Sequence, residues 1–159
     1  MSGKIVIVDY GMGNLFSVRK KLHRLHADAI VSSSPSEIAN ADKLILPGVG
    51  HFQKAMENLV SSHLMETIHE SVHVKKKPIL GICLGMQLMA KKSEEGNVEG
   101  MGWFDADVVR FNVQDTLKNK IPHMGWNQIS IVKESALMKD IPNLSEFYFV
   151  HSFHFKSYN

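Results

Sequence analysis

Four short apolar runs, each closed by a turn and followed by a helix-period stretch, constrain this chain more than any other feature. They are Lys4-Ile5-Val6-Ile7-Val8-Asp9, Ala29-Ile30-Val31, Lys43-Leu44-Ile45-Leu46 and Ile79-Leu80-Gly81-Ile82. Runs this short and rich in β-branched residues, alternating with helical periodicity, are the pattern of parallel strands joined by crossover helices. Leu15, Val18, Leu22 and Leu25 fall on one face of the first helix, with Arg19, Lys20, Lys21 and Arg24 on the other. Ser34-Pro35-Ser36-Glu37 carries a capping serine, a first-turn proline and a capping-box acid for the second. Residues 51 to 73 read as helix broken near Ser61-Ser62, and a further helix begins directly at Cys83-Leu84-Gly85.

After Ser93-Glu94-Glu95-Gly96 the pattern changes to strands and loops, with one short helix expected over Ser135 to Lys139. The expected class is therefore α/β, a mostly parallel sheet flanked by helices with a more antiparallel second half. A chain of 159 residues is one domain by size, so residues 1–159 are read as a single domain.

Composition removes several function classes. Eighteen basic and sixteen acidic side chains leave a net charge of +2, with no like-charge run longer than Lys75-Lys76-Lys77, so no nucleic-acid partner is expected. One cysteine excludes an internal disulfide. The apolar run Ile5 to Val8 is too short for a signal segment, and nothing approaches a membrane span. A cytoplasmic protein without membrane contact is the expectation.

Chemistry concentrates at Gly81-Ile82-Cys83-Leu84-Gly85, a G-x-C-x-G pattern at the junction of the fourth strand and a helix. This is the cysteine form of a nucleophile elbow. The turn is so sharp that bulky residues two positions either side would clash, and the helix N-terminus favours an anionic sulfur. A lone cysteine is most often a small buried hydrophobe. The paired glycines and the strand-to-helix junction favour the nucleophile. Gln87 lies four residues on, on the same helix face as Cys83. Leu46-Pro47-Gly48-Val49-Gly50 ends the third strand in glycines that free backbone N–H groups; with the N–H of Leu84 it could form an oxyanion hole, or it is a plain strand-ending turn.

Taken together, VDYGMGNL (8–15), PGVGHF (47–52), GICLGMQLM (81–89), SEEG (93–96), PHMGWN (122–127) and YFVHSF (148–153) resemble the HisH-type glutaminase subunits of imidazole glycerol phosphate synthase, a branch of the class I, triad-type glutamine amidotransferases. The resemblance implies a flavodoxin-like sheet and hydrolysis of glutamine to glutamate and ammonia. It implies Cys83 as nucleophile, Val49, Gly50 and Leu84 at the oxyanion positions, and Gln87, His151 and Ser152 at the glutamine-binding positions. It also implies ammonia transfer to a (β/α)₈-barrel cyclase subunit as heterodimer partner, faced by Asn14, Pro122, Met124 and Trp126. No cofactor and no metal are implied.

One departure bears on activity. The family's base and orienting acid come from a later His-Pro-Glu segment, and the sequence reaches Asn159 without one. The stretch is therefore read as C-terminally incomplete and by itself inactive on glutamine. Two alternatives keep the same residues: the same glutaminase chemistry serving a surface-sugar amidotransferase, or a non-catalytic scaffold subunit. A redox protein built on the elbow cysteine leaves Gln87, PGVG and VHS without a task. His69 and His73, at i and i+4, have the one metal-like spacing but no completing cluster, and are read as solvated histidines on a helix face. His151 and His154 are read as pointing to opposite faces of one strand. Gly11-Met12-Gly13-Asn14-Leu15-Phe16 starts like a dinucleotide fingerprint, but Phe16 replaces its third glycine.

Overall fold

The structure is a computed structural model that describes residues 3–114 and 120–158. The chain forms two compact units: one runs to Val109 and takes in the segment from Phe155, the other spans Arg110–His154.

In the first unit, strands β1 (Ile5–Val8), β2 (Ala29–Ser32), β3 (Lys43–Gly48) and β4 (Ile79–Cys83) form an all-parallel sheet in the order β2-β1-β3-β4. The two inner strands carry the core. Val6, Ile7, Val8, Leu44 and Leu46 are all at most 1% exposed, as expected for strands covered on both faces. Helix α1 (Leu15–Arg24) packs Leu15, Val18 and Leu22 onto Ile7, Ala29 and Ile45. Leu25, expected on the same face, is instead the C-cap residue and is exposed. The helix is capped by Asn14, whose side chain accepts from the Ser17 N–H at 3.2 Å. Lys21, His23 and Arg24 in its last turn complement the helix dipole.

Helix α2 (Pro35–Ala39) starts at Ser34, but the expected capping box does not form. Glu37 accepts instead from the Ser32 hydroxyl, and Ser32 Oγ accepts from the Ser34 N–H at 2.9 Å. The serine ending β2 has taken over the cap's work. Helices α3 (Phe52–Ser61) and α4 (Leu64–His69) are separated near Ser61-Ser62 as expected, at the left-handed His63. A π-helical turn, Glu70–Val74, follows α4. His69 and His73 are not simply solvated: their rings stack at 4.7 Å, and His73 meets Trp103 edge-on at 4.9 Å. Burial first, then His69 and Lys76, push the His73 imidazole below its ordinary value.

Strand β4 is followed at once by the short helix α5 (Leu84–Gln87). It is less covered than the sequence pattern implied, with Leu80 and Ile82 40% and 37% exposed. The rest of the unit is a second sheet. In it β5 (Lys92–Ser93) pairs antiparallel with β6 (Val98–Glu99) and parallel with β7 (Ala106–Arg110).

The second unit is dominated by an antiparallel ribbon of β8 (His123–Gln128) and β9 (Glu146–His151), paired from His123↔His151 to Gln128↔Glu146. The short helix expected over Ser135 to Lys139 is a hydrogen-bonded turn instead. β9 ends at His151 and β10 begins at Phe153 (Phe153–Ser157), so His151 and His154 lie on different strands rather than on one. The chain's α/β class, with a parallel sheet first and antiparallel pairing after it, is the one its sequence pattern implied.

The segment from Phe155 is tied to β7 by Tyr158, whose hydroxyl donates to Asp107 Oδ2 at 2.7 Å. Lys92 Nζ approaches the same oxygen at 3.4 Å. The tyrosine hydroxyl first, then Lys92 and Lys91, hold the Asp107 carboxyl below its ordinary value of 3.8 against the opposing effect of burial. A carboxyl depressed in the folded state contributes stability above its unfolded value and loses it as pH falls through the folded one. Tyr158→Phe is therefore expected to lower stability at neutral pH, with the gap from the parent closing below about pH 4. Urea unfolding at a series of pH values measures it; a gap independent of pH would contradict the assignment.

Candidate active site

Cys83 sits where β4 becomes α5, with φ 54° and ψ −118°. A non-glycine residue there is strained and needs its surroundings to hold it. The two flanking glycines show how it is held. A Cβ on Gly85 would overlap the Leu46 carbonyl oxygen and stand 2.7 Å from its carbon. A Cβ on Gly81 would lie 2.6 Å from Met86 Cα and 2.8 Å from Met86 N. Backbone packs directly on backbone at both places, so neither position tolerates a side chain. Cys83 itself is exposed, while Leu84 beside it is 2% exposed.

The parallel register brings the glycine-rich loop to the same place. Leu46↔Gly81, Pro47↔Ile82 and Gly48↔Cys83 are paired, so β3 runs to Gly48, two residues beyond its expected end at Leu46. Val49 and Gly50 emerge next to the elbow, both exposed, with Gly50 at φ 109°. The loop after β1 packs alongside. A Cβ on Gly13 would touch the Pro47 carbonyl at 3.4 Å, and one on Gly50 would meet Met12 Cε at 2.7 Å. These loops leave the carboxyl ends of β1 and β3, where strand order reverses and open α/β sheets bind ligands. Gln87, half-buried, lies one helical turn beyond Cys83.

The profile of the family "Glutamine amidotransferase class-I" matches residues 6–159. The chain belongs to the class-I glutamine amidotransferase family. It is 48% identical over 153 residues to "Imidazole glycerol phosphate synthase subunit HisH 1" of Campylobacter jejuni subsp. jejuni serotype O:23/36 (strain 81-176), covering 96% of this chain and 75% of that relative. It is 45% identical over 153 residues to "Imidazole glycerol phosphate synthase subunit HisH" of Bacillus subtilis (strain 168), covering 94% and 71%. Among solved structures, a glutamine amidotransferase from Thermotoga maritima superposes with a TM-score of 0.63 at 14% identity, covering 99% of this chain and 64% of that one. A second glutamine amidotransferase crystal structure gives 0.59 at 21% identity, with 69% and 59% covered. These two similarities show the shared fold.

Within this amidotransferase fold the residues expected to act together divide between the two units. Cys83, Leu84, Val49, Gly50 and Gln87 are gathered in the first. His151 and Ser152 belong to the second. There His151 Nδ1 meets the Phe153 carbonyl at 2.8 Å and His151 Nε2 meets His123 Nδ1 at 3.2 Å. A carbonyl only accepts, so Nδ1 of His151 carries a hydrogen. In the neutral ring Nε2 then accepts from His123. The Ser152 carbonyl accepts from the Phe111 N–H at 2.9 Å. Asn14 is exposed and caps α1; Met124 and Trp126 are 61% and 71% exposed on one face of the β8–β9 ribbon, opposite Val150 and Tyr148. Pro122, just before β8, follows a cis peptide bond. No group of three or more metal-ligating side chains occurs among the described residues. No described helix is long and apolar enough to cross a membrane.

Sequence reasoning missed Tyr10, a buried residue at the end of β1 whose hydroxyl points to Gly48. Its only signal was its place between the first strand and Gly11.

Gly85→Ala is expected to cost about 3 kcal/mol or more, because backbone cannot yield to the added methyl group. Gly102→Ala, with nothing within 4 Å of its added Cβ, meets only the strain of φ 69° and costs about 1–2 kcal/mol. Urea unfolding of both variants checks the order; equal losses would contradict the close backbone approach of Gly85 to Leu46.

Proposed function

We propose that this chain is the glutaminase subunit of an imidazole glycerol phosphate synthase, hydrolysing L-glutamine and delivering ammonia to a (β/α)₈-barrel cyclase. The observation that carries the reading is Cys83, the chain's one cysteine, held in a strained turn that two sterically required glycines permit. The printed names of the relatives point to the same assembly. One amidotransferase domain spanning both units in the cytoplasm is part of the proposal.

The chemistry follows from the side chains. The Cys83 thiolate attacks the carboxamide carbon of glutamine, and the carbonyl electrons move onto oxygen. The N–H groups of Val49, Gly50 and Leu84 are the donors for that oxyanion. Collapse of the tetrahedral adduct breaks the C–N bond, and ammonia leaves with a proton. Water then adds to the glutamyl thioester, releasing glutamate and restoring the thiol. The proton carrier is assigned by resemblance to a His-Pro-Glu segment, which residues 1–159 do not contain. By resemblance, Gln87 in the first unit and His151 and Ser152 in the second are the proposed glutamine-binding residues.

The exposed strip of Met124, Trp126, Tyr148 and Val150 supports the partner assignment. Aromatic and methionine side chains grouped on a ribbon face are what the desolvated centre of an interface uses. By resemblance, Asn14 in the first unit and Pro122 in the second are also proposed to face the cyclase.

The test is glutamate release by the full-length gene product with and without its cyclase. Cys83→Ala is expected to abolish partner-dependent release while leaving complex formation intact. Trp126→Ala is expected to weaken the complex by about 2 kcal/mol or more, read as a rise in Kd. Undiminished glutamate release from Cys83→Ala would overturn the catalytic assignment.

A further inference from the structure

Tyr10 is 4% exposed, and its hydroxyl is buried without a hydrogen-bond partner among the described residues. Buried tyrosine hydroxyls nearly always find partners, and phenylalanine would fill the same space without leaving a donor unmet. The location gives the hydroxyl a purpose. It lies where a side chain on Gly48 would go, a point 2.8 Å from Gly85 N and 3.0 Å from Leu84 Cβ. Gly48 is the register partner of Cys83, so the hydroxyl is lodged between the end of β3 and the elbow. Its backbone is fixed as well, since the Tyr10 carbonyl accepts from Asn58 Nδ2 at 3.1 Å.

We propose that Tyr10 is a positioning residue for the nucleophile, its buried O–H being the donor kept for the Cys83 sulfur when that sulfur becomes a thiolate. A neutral thiol is a weak acceptor and offers the hydroxyl little; a thiolate is a charged acceptor and offers a strong bond. The hydroxyl and the cysteine flank the same residue, Gly48, which is the register partner of Cys83. The donor persists at working pH, because burial first and then Cys83 push the phenol well above its ordinary value of 10.0. Other charged groups on the surrounding segments are engaged elsewhere. Asp9 accepts from the Gly11 N–H at 3.0 Å and Glu95 from the Phe52 N–H at 2.8 Å. Glu57 pairs with Lys54 and Gln53 on α3, and His51 is exposed.

The proposal rests on Cys83 being the nucleophile, but alkylation reads its sulfur directly. A protein inert toward glutamine whose sulfur still depended on Tyr10 would refute the glutaminase reading and leave this one standing. Iodoacetamide alkylation of Cys83 is followed against pH in the parent and in Tyr10→Phe. The variant is expected to react roughly tenfold more slowly at pH 7 and equally fast at high pH, where the sulfur is ionised in both. Its thermal midpoint should be unchanged or higher, because an unmet buried donor has been removed. Equal rates at pH 7 overturn the proposal. Should Tyr10→Phe fail to fold, the parent labelled with ¹³Cζ-tyrosine decides: the Tyr10 resonance should move as Cys83 ionises and stay still in Cys83→Ala. A resonance that ignores the ionisation of Cys83 overturns it equally.

Discussion

The pairing of β3 with β4, carried two residues past the point where proline would be expected to stop it, is the constraint on which the candidate site depends. Pro47 lacks an N–H, yet the register continues through Pro47↔Ile82 to Gly48↔Cys83. That last pair sets the glycine-rich loop beside the cysteine. It also forces α5 to begin directly over β3, which is why Gly85 lies against the Leu46 carbonyl. Strain at a left-handed cysteine costs on the order of 1–3 kcal/mol. The adjoining strands offset it, since each buried valine, isoleucine or leucine of β1 and β3 contributes about 1.5–3 kcal/mol.

What could be read from the sequence was what local physics writes into residue types. β-branched runs marked β1 and β2, because strands covered on both faces need no alternation. The elbow could be read because each demand leaves its own residue: a nucleophile at the turn and no Cβ two positions either side. What could not be read was decided by neighbours distant in sequence or by competing donors. Glu37 was a sound capping-box acid until Ser32, at the end of the preceding strand, offered a nearer hydroxyl. His73 was a surface histidine by spacing, and Trp103, thirty positions on, made it a packed one. The YFVHSF segment read as one strand because nothing in its composition marks Ser152 as a break.

The same reasoning explains why Tyr10 was invisible. A tyrosine at a strand end is unremarkable, and its meaning depends on the absence of a side chain at Gly48, thirty-eight residues later. Only the folded register shows that the space left by Gly48 is filled by a hydroxyl. Gly48 therefore serves two neighbours: it lets β3 lie close to the elbow and it leaves room for the Tyr10 hydroxyl.

The second unit places a different kind of limit on the proposed chemistry. His151 stands at a glutamine-binding position by resemblance, yet both of its ring nitrogens are engaged. Nδ1 donates to the Phe153 carbonyl, and Nε2 accepts from His123, whose own Nε2 lies 3.5 Å from the Asn127 amide nitrogen. Phe149 stacks on His123 at 5.1 Å and Phe111 packs against His151 at 5.0 Å, so the half-buried pair is packed as well as bonded. An imidazole held in this way has no free nitrogen for a ligand. Within the proposed glutaminase reading, the ring of His151 therefore holds its segment in place instead of meeting a ligand through a ring nitrogen. On that argument His151 is a structural member of the second unit, and His123, assigned to no role from sequence, shares the task.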